Sequence, residues 1–207
     1  MRRRPATVPY GIVALASTAA LVLVAPTPAV AAPGDQVTLL TGGGVLDGRT
    51  AERAAVDAVR GAQLADGSIL VADAHRRIRL IDGATGVLST VAGSSARTTG
   101  PGATDADLAA NGDGGPATSA KVTSPTWVDR RADGTTVFVD GRRIRAVDAG
   151  GTVTTIAGTG AAGPAADGPD ATAVALDPTA VALDRASGDL YVGDRSTRTV
   201  RVVRADG

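Results

Sequence analysis

Three near-copies of one apolar phrase, each closed by glycine, constrain this chain more than any other feature. Val37-Thr38-Leu39-Leu40-Thr41-Gly42, Val87-Leu88-Ser89-Thr90-Val91-Ala92-Gly93 and Val153-Thr154-Thr155-Ile156-Ala157-Gly158 begin 50 and then 66 residues apart. A second phrase runs just ahead of the later two, as Arg77-Ile78-Arg79-Leu80-Ile81-Asp82 and Arg143-Ile144-Arg145-Ala146-Val147-Asp148. A degraded third copy reads Thr199-Val200-Arg201-Val202-Val203. Short β-rich phrases at this spacing predict stacked blades or coils, because one such unit cannot bury its apolar face alone.

The rest of each unit fits four antiparallel strands. In the second unit these are Pro125 to Arg130, Val137 to Val139, Ile144 to Val147 and Val153 to Ala157. The third repeats the order with Pro178 to Asp184, Leu190 to Val192 and Val200 to Val203. The first fits with Val59 to Leu64, Ile69 to Ala72 and Ile78 to Ile81. Asp-Gly and Gly-Gly turns between such runs predict meanders. The middle strands are apolar on consecutive residues, which predicts cover on both faces. Inserts of unequal length separate the units; one contains Gly112-Asp113-Gly114-Gly115-Pro116-Ala117, echoed at Asp167-Gly168-Pro169-Asp170-Ala171.

The first residues read as a Sec signal peptide over 1–31. Arg2, Arg3 and Arg4 form a basic start, and Gly11 to Ala25 an apolar stretch too short for a spanning helix. Ala29-Val30-Ala31 offers the small residues of a cleavage site; an uncleaved membrane anchor is the alternative. Residues 32–36 then form a linker, and 37–207 the repeat region, in units of approximately 37–93, 94–158 and 159–207. Residues 1–31 carry three arginines and no acid, leaving 18 basic side chains (21 − 3) against 21 acidic ones. No basic block remains to release counterions from nucleic acid, so that class of partner is excluded. With no cysteine in a chain expected to be secreted or held at the cell surface, stability must rest on the apolar core. The excess of arginine over lysine, with abundant alanine and glycine, points to a GC-rich bacterial genome.

Taken together, Gly112 to Ala117, Ser124 to Thr126, Leu190 to Asp194, Arg143 to Arg145 and Val153 to Gly158 resemble the unit of the NHL-repeat β-propeller family, especially its exported bacterial members. The resemblance covers nearly everything after residue 36. It implies an all-β fold, a partial propeller of about three four-stranded antiparallel blades. The family's glycine after Pro-Thr is kept as Gly61 but replaced at Trp127 and Ala180. Closed propellers have about four to eight blades. Two readings follow: a piece of a longer ring, or half of a six-bladed ring made by two chains, with Val37 to Gly42 completing a neighbouring blade. Open blade edges invite self-association either way.

Candidate chemistry is sparse. His75 is the only histidine and Glu52 the only glutamate, too few for a histidine-rich zinc site or for the glutamate-bearing metal site of propeller lactonases. Asp105, Asp107 and Asp113 are weak calcium candidates in a glycine-rich insert, without EF-hand spacing. Asp73, Asp140 and Asp194, with Arg79, Arg145 and Arg201, recur once per unit, which argues for ion pairs that hold strands and blades together. The one local departure is Trp127-Val128-Asp129-Arg130-Arg131 on the first strand of unit two. That strand borders a propeller's channel, so Trp127, Asp129, Arg130 and Arg131 are candidate ligand contacts, against a reading as paired interior charges beside a plug.

The expectation is an exported, non-catalytic binding or scaffold module without cofactor, its loops and channel mouth meeting a protein, peptide or surface glycan. The alternative is a metal-dependent hydrolase or lyase of propeller architecture whose catalytic residues lie partly outside this chain.

Overall fold

Short apolar strands joined by glycine turns pair most simply each with the next, and the chain does this three times. The computed structural model describes residues 47–51, 54, 56–94, 111–161, 163, 168 and 170–205. The expected signal peptide, the linker, Val37 to Gly42, Glu52, Asp105, Asp107 and Asp167 lie outside the described residues. The first sheet has the order β1 (Ala58–Gln63), β2 (Ile69–Asp73), β3 (Arg77–Ile81), β4 (Leu88–Ala92). The second runs β5 (Pro125–Arg130), β6 (Thr136–Asp140), β7 (Arg143–Val147), β8 (Val153–Ala157). The third holds three strands among the described residues: β9 (Pro178–Leu183), β10 (Leu190–Asp194) and β11 (Thr199–Val203). All pairings within the sheets are antiparallel. This is the partial propeller that the repeats predict.

Strand side chains alternate in direction, so each blade has two faces to cover. Leu70 and Ala72 of β2 pack with Val128 and Phe138 of the second blade. Val137 and Val139 of β6 pack the other way, with Leu190 and Val192 of the third. Every residue of β2, β6 and β7 is buried. Each fully buried leucine, isoleucine or phenylalanine contributes about 1.5–3 kcal/mol. The first blade's remaining face, with Ile69 and Val71, is covered by Ala51, Ala54 and Val56 from the segment before it. The third blade's far face stays open: Tyr191, Val200 and Val202 are exposed there, cross-strand neighbours of one another or of small residues.

The closing glycine of the repeated phrase has a backbone task. Gly93 and Gly158 end β4 and β8 at φ of +94° and +91°, a region that favours glycine. A Cβ on either would also press into the carbonyl oxygen of Arg76 or Arg142. Their amides donate to the carbonyls of Ala117 and Ala171, 2.9 Å away. Each glycine thus ties the end of one blade's outer strand to the 3-10 turn (Ala117–Ser119 or Ala171–Ala173) that precedes the next blade.

The ladders correct one alignment. Gly61 pairs with Val71, as Val128 pairs with Phe138 and Val181 with Val192. Gly61 is therefore the counterpart of Val128 and Val181, and Arg60 that of Trp127 and Ala180. All three first strands carry an irregularity after their opening residue, so matching by glycine shifts the first unit one residue out of register.

Candidate functional site

The inner strands β1, β5 and β9 come from successive blades, and β5 contacts both of the others. A propeller strand points its side chains toward the neighbouring blades, while its edge borders the channel. Trp127 accordingly buries its indole among Val137, Val139, Ile144 and Val181, between the second and third blades, and is 8% exposed. It is a core residue, and this departs from the expectation of an aromatic presented at the channel. Asp129, late on β5, and Arg131, just beyond its end, both reach the β9–β10 turn. Nη2 of Arg185 lies 2.9 Å from each Asp129 carboxylate oxygen. Arg131 Nε donates to the carbonyl of Gly188 at 3.0 Å. Arg130 Nε donates to the Thr136 hydroxyl at 3.1 Å. The Arg185 side chain is more than half exposed, so one half of this charged group faces solvent.

The recurrent aspartates and arginines sit deeper. Asp140, at the end of β6, accepts the amides of Thr123 and Ser124 and the Thr123 hydroxyl through Oδ1, at 2.8 to 2.9 Å. Its Oδ2 lies 3.3 Å from Nη1 of Arg145 on β7. Arg145 is 1% exposed and stacks over the Phe138 ring, 6.0 Å from its centroid. It also donates to the carbonyls of Lys121 and Asn111 and to the carboxylate of Asp113. Asp113 Oδ2 in turn accepts the amide of Thr155 on β8 at 2.9 Å. A fully buried guanidinium is tolerated because two carboxylates and two carbonyls replace its water.

The first blade repeats the arrangement. Arg79 is buried between Asp73, 3.6 Å away, and Asp47, which also accepts the Thr90 amide and hydroxyl. Asp47 escaped the sequence reading. The signal was the Asp-Gly pair of Asp47-Gly48-Arg49-Thr50-Ala51, the counterpart of Asp113-Gly114-Gly115-Pro116-Ala117: Gly48 donates to Leu88 as Gly114 donates to Val153. In the third blade Arg201 Nε lies 3.2 Å from Asp194. Asp113, a calcium candidate from sequence, has its oxygens committed to Arg145 and Thr155. Among the described residues no three histidine or acidic side chains gather in a way that could hold a metal ion. His75 Nδ1 contacts Asp73 Oδ1 at 2.8 Å in the β2–β3 turn, where Arg76 adopts φ +63°.

Two carboxylates near the third blade are electrostatically tuned. Burial opposes ionisation of Asp194, but hydrogen bonds from the Ser196 hydroxyl and amide, then the Asp177 amide and the Arg201 charge, outweigh it and hold its carboxyl below the usual value. Asp189 is held low by Arg204, whose Nη1 lies 2.6 Å away, and by the Ala205 amide.

With that geometry in view, residues 96–184 match the family model of the Teneurin NHL domain. The matched stretch contains the whole second blade and the first strand of the third. Similar solved structures come from Bacteroides thetaiotaomicron VPI-5482. One is a structural genomics protein of unknown function, 20% identical, with a TM-score of 0.51 over 67% of this chain and 32% of that one. A putative phosphatase is 17% identical, TM-score 0.52, over 73% and 35%. An auxiliary nutrient binding protein is 17% identical, TM-score 0.53, over 73% and 38%. The chain spans about a third of the length of these structures, and the likeness is one of fold. No curated protein matches the chain.

Proposed function

We propose that this chain is an exported binding module whose ligand, a protein, peptide or surface glycan, meets the channel mouth beside β5. The observation that carries the reading is the charged group of Asp129, Arg131 and Arg185, anchored across two blades yet open to solvent on the Arg185 side. A planar guanidinium held by a carboxylate keeps further donors for an acidic side chain or a sugar hydroxyl. Trp127 serves as a positioning residue that fixes β5 from below. Export is supported by the basic, apolar and small-residue order of residues 1–31. Among the described residues no helix is long and apolar enough to cross a membrane. The resemblance in fold to an auxiliary nutrient binding protein is compatible with a binding role. Self-association through open blade edges belongs to the same reading, because the third blade leaves an apolar face uncovered.

The test is a glycan and peptide array probed with the labelled chain. A retained ligand should bind at least about tenfold more weakly to Arg185→Ala and Arg131→Ala, the loss of roughly 1.4 kcal/mol of contact. Equal binding by both variants removes the channel mouth as the site. Export is tested separately, by expression in a bacterial host and N-terminal sequencing of the periplasmic product; a start near Ala32 is expected, and retention of Met1 overturns it.

A further inference from the structure

In the first two blades the outer strand lies between two walls. β8 pairs with β7 on one side, and on the other Gly114 donates to the carbonyl of Val153 and the Val153 amide donates to Gly115, at 2.8 and 3.1 Å. β4 sits likewise between β3 and the Gly48–Arg49 pair. In the third blade the described residues after β11 include no strand that pairs with it. β11 forms one side, the segment around Ala171–Leu176 the other, and a groove of about 560 Å³ runs between, lined by Ala171, Val174, Leu176, Val200, Arg201 and Val203.

We propose that this groove seats Val37–Gly42 of a second copy of the chain, so that two copies exchange strands reciprocally. The inference rests on the self-association proposed above and gives it a register. Val37-Thr38-Leu39-Leu40-Thr41-Gly42 repeats the pattern of Val153–Gly158, the strand that fills the same place in the second blade. By that equivalence Val37 pairs with Val203, Thr38 with Val202, and Thr41 with Val200, while Gly42 meets the Arg198 carbonyl. Gly42 and its partners obey the rule seen at Gly93 and Gly158, where a side chain would strike the carbonyls of Arg76 and Arg142.

Reach decides which copy donates. Asp47 is fixed to the first blade by Arg79, and the five residues back to Gly42 span at most about 18 Å. The third blade lies beyond the whole second one, with sheets stacked roughly 10 Å apart, and both faces of the second blade are filled. A second copy delivers the segment directly when its first blade packs on the open face. The segment of Ala51, Ala54 and Val56, already buried against Ile69 and Val71 of its own chain, then stands between that blade and the face of Tyr191, Val200 and Val202, as Ala117, Ala120 and Val122 stand between the first and second blades. Two such contacts related by a two-fold axis close six blades into a ring.

The chain has no cysteine, so introduced thiols report unambiguously. The experiment places Thr38→Cys and Val202→Cys in one chain, oxidises it and runs it without reductant; Thr38→Cys with Val59→Cys is the control on an exposed site of the first blade. Light scattering is measured on the unmodified chain and on Val37→Asp, with circular dichroism to verify that strand content persists. The expected result is a two-chain mass, a cross-linked two-chain band for Thr38/Val202 but not Thr38/Val59, and a one-chain mass for Val37→Asp. A two-chain mass that survives Val37→Asp, or equal cross-linking in both pairs, overturns the strand seat while leaving self-association standing. A one-chain mass for the unmodified protein overturns both.

Discussion

Asp113 grips Arg145 from a loop 32 residues earlier in the chain, and by doing so ties the entry of the second blade to its third strand. The same carboxylate holds the Thr155 amide of the fourth strand. One acidic side chain thus joins three segments around a guanidinium that water does not reach.

Removing that guanidinium should be costly. Arg145→Ala strands Asp140 and Asp113 without a counter-charge, and Asp140 is 6% exposed at its side chain. Breaking a buried pair in this way costs about 3–5 kcal/mol. Asp47→Ala should cost less, about 1–3 kcal/mol, because its side chain is nearly half exposed. Urea denaturation followed by far-ultraviolet circular dichroism checks both, and equal losses would remove burial as the cause.

Glycine substitutions separate backbone strain from steric conflict. Gly134 has φ +91°, but no atom lies within 4 Å of the place a Cβ would take, so Gly134→Ala should cost about 1–2 kcal/mol. Gly158→Ala faces the same φ and the Arg142 carbonyl as well, and should lose more than about 3 kcal/mol. Melting temperatures of the two variants, measured side by side, test the order.

Trp127 is the only tryptophan, so its fluorescence reads the interface between the second and third blades directly. Emission should be blue-shifted in the folded chain and move to longer wavelength on unfolding. Trp127→Ala should cost about 3–5 kcal/mol through the cavity it leaves. Arg185→Ala, which breaks a pair with an exposed arginine, should cost under about 1 kcal/mol.

Acid should weaken the fold in a defined direction. Asp194, Asp189, Asp170, Asp133 and Asp82 all have folded-state pKa values below the reference of 3.8. Groups of this kind bind fewer protons when folded, so their contribution is present above about pH 4 and is lost as pH falls through and below that value. Urea midpoints should be level from neutral pH down to about 5 and then decline. A midpoint that rises on acidification would contradict the carboxylate assignments.

Strand positions were legible because they repeat: Val137 to Val139 and Leu190 to Val192 lie within β6 and β10, and β2 and β6 are covered on both faces as their consecutive apolar residues predict, while β10 leaves Tyr191 exposed. Sheet parity was not legible. Whether a residue on β5 faces the first blade or the third depends on the ladder, and the ladder sends Val128 toward the first and Trp127 toward the third. Register in the first unit failed for a related reason, since Gly61 invited a match by residue type while the pairing to Val71 is set by backbone. Asp47 was hidden because its loop works through main-chain groups. Arg49-Thr50 and Gly115-Pro116 look unlike but occupy equivalent places, and only the aspartate and its following glycine carry the pattern.

The pinning of the junction between the first and second blades at both ends has a consequence for how such chains change length. Gly93 is fastened to Ala117, and Asp113 to Arg145, so both sides of the junction have their own anchor. Nineteen residues separate Gly93 from Asp113. Growth between those anchors adds only slowly to the entropy of closing the loop. This junction is therefore a port for insertion, where a foreign peptide or a small domain can be spliced while the blades on either side keep their contacts.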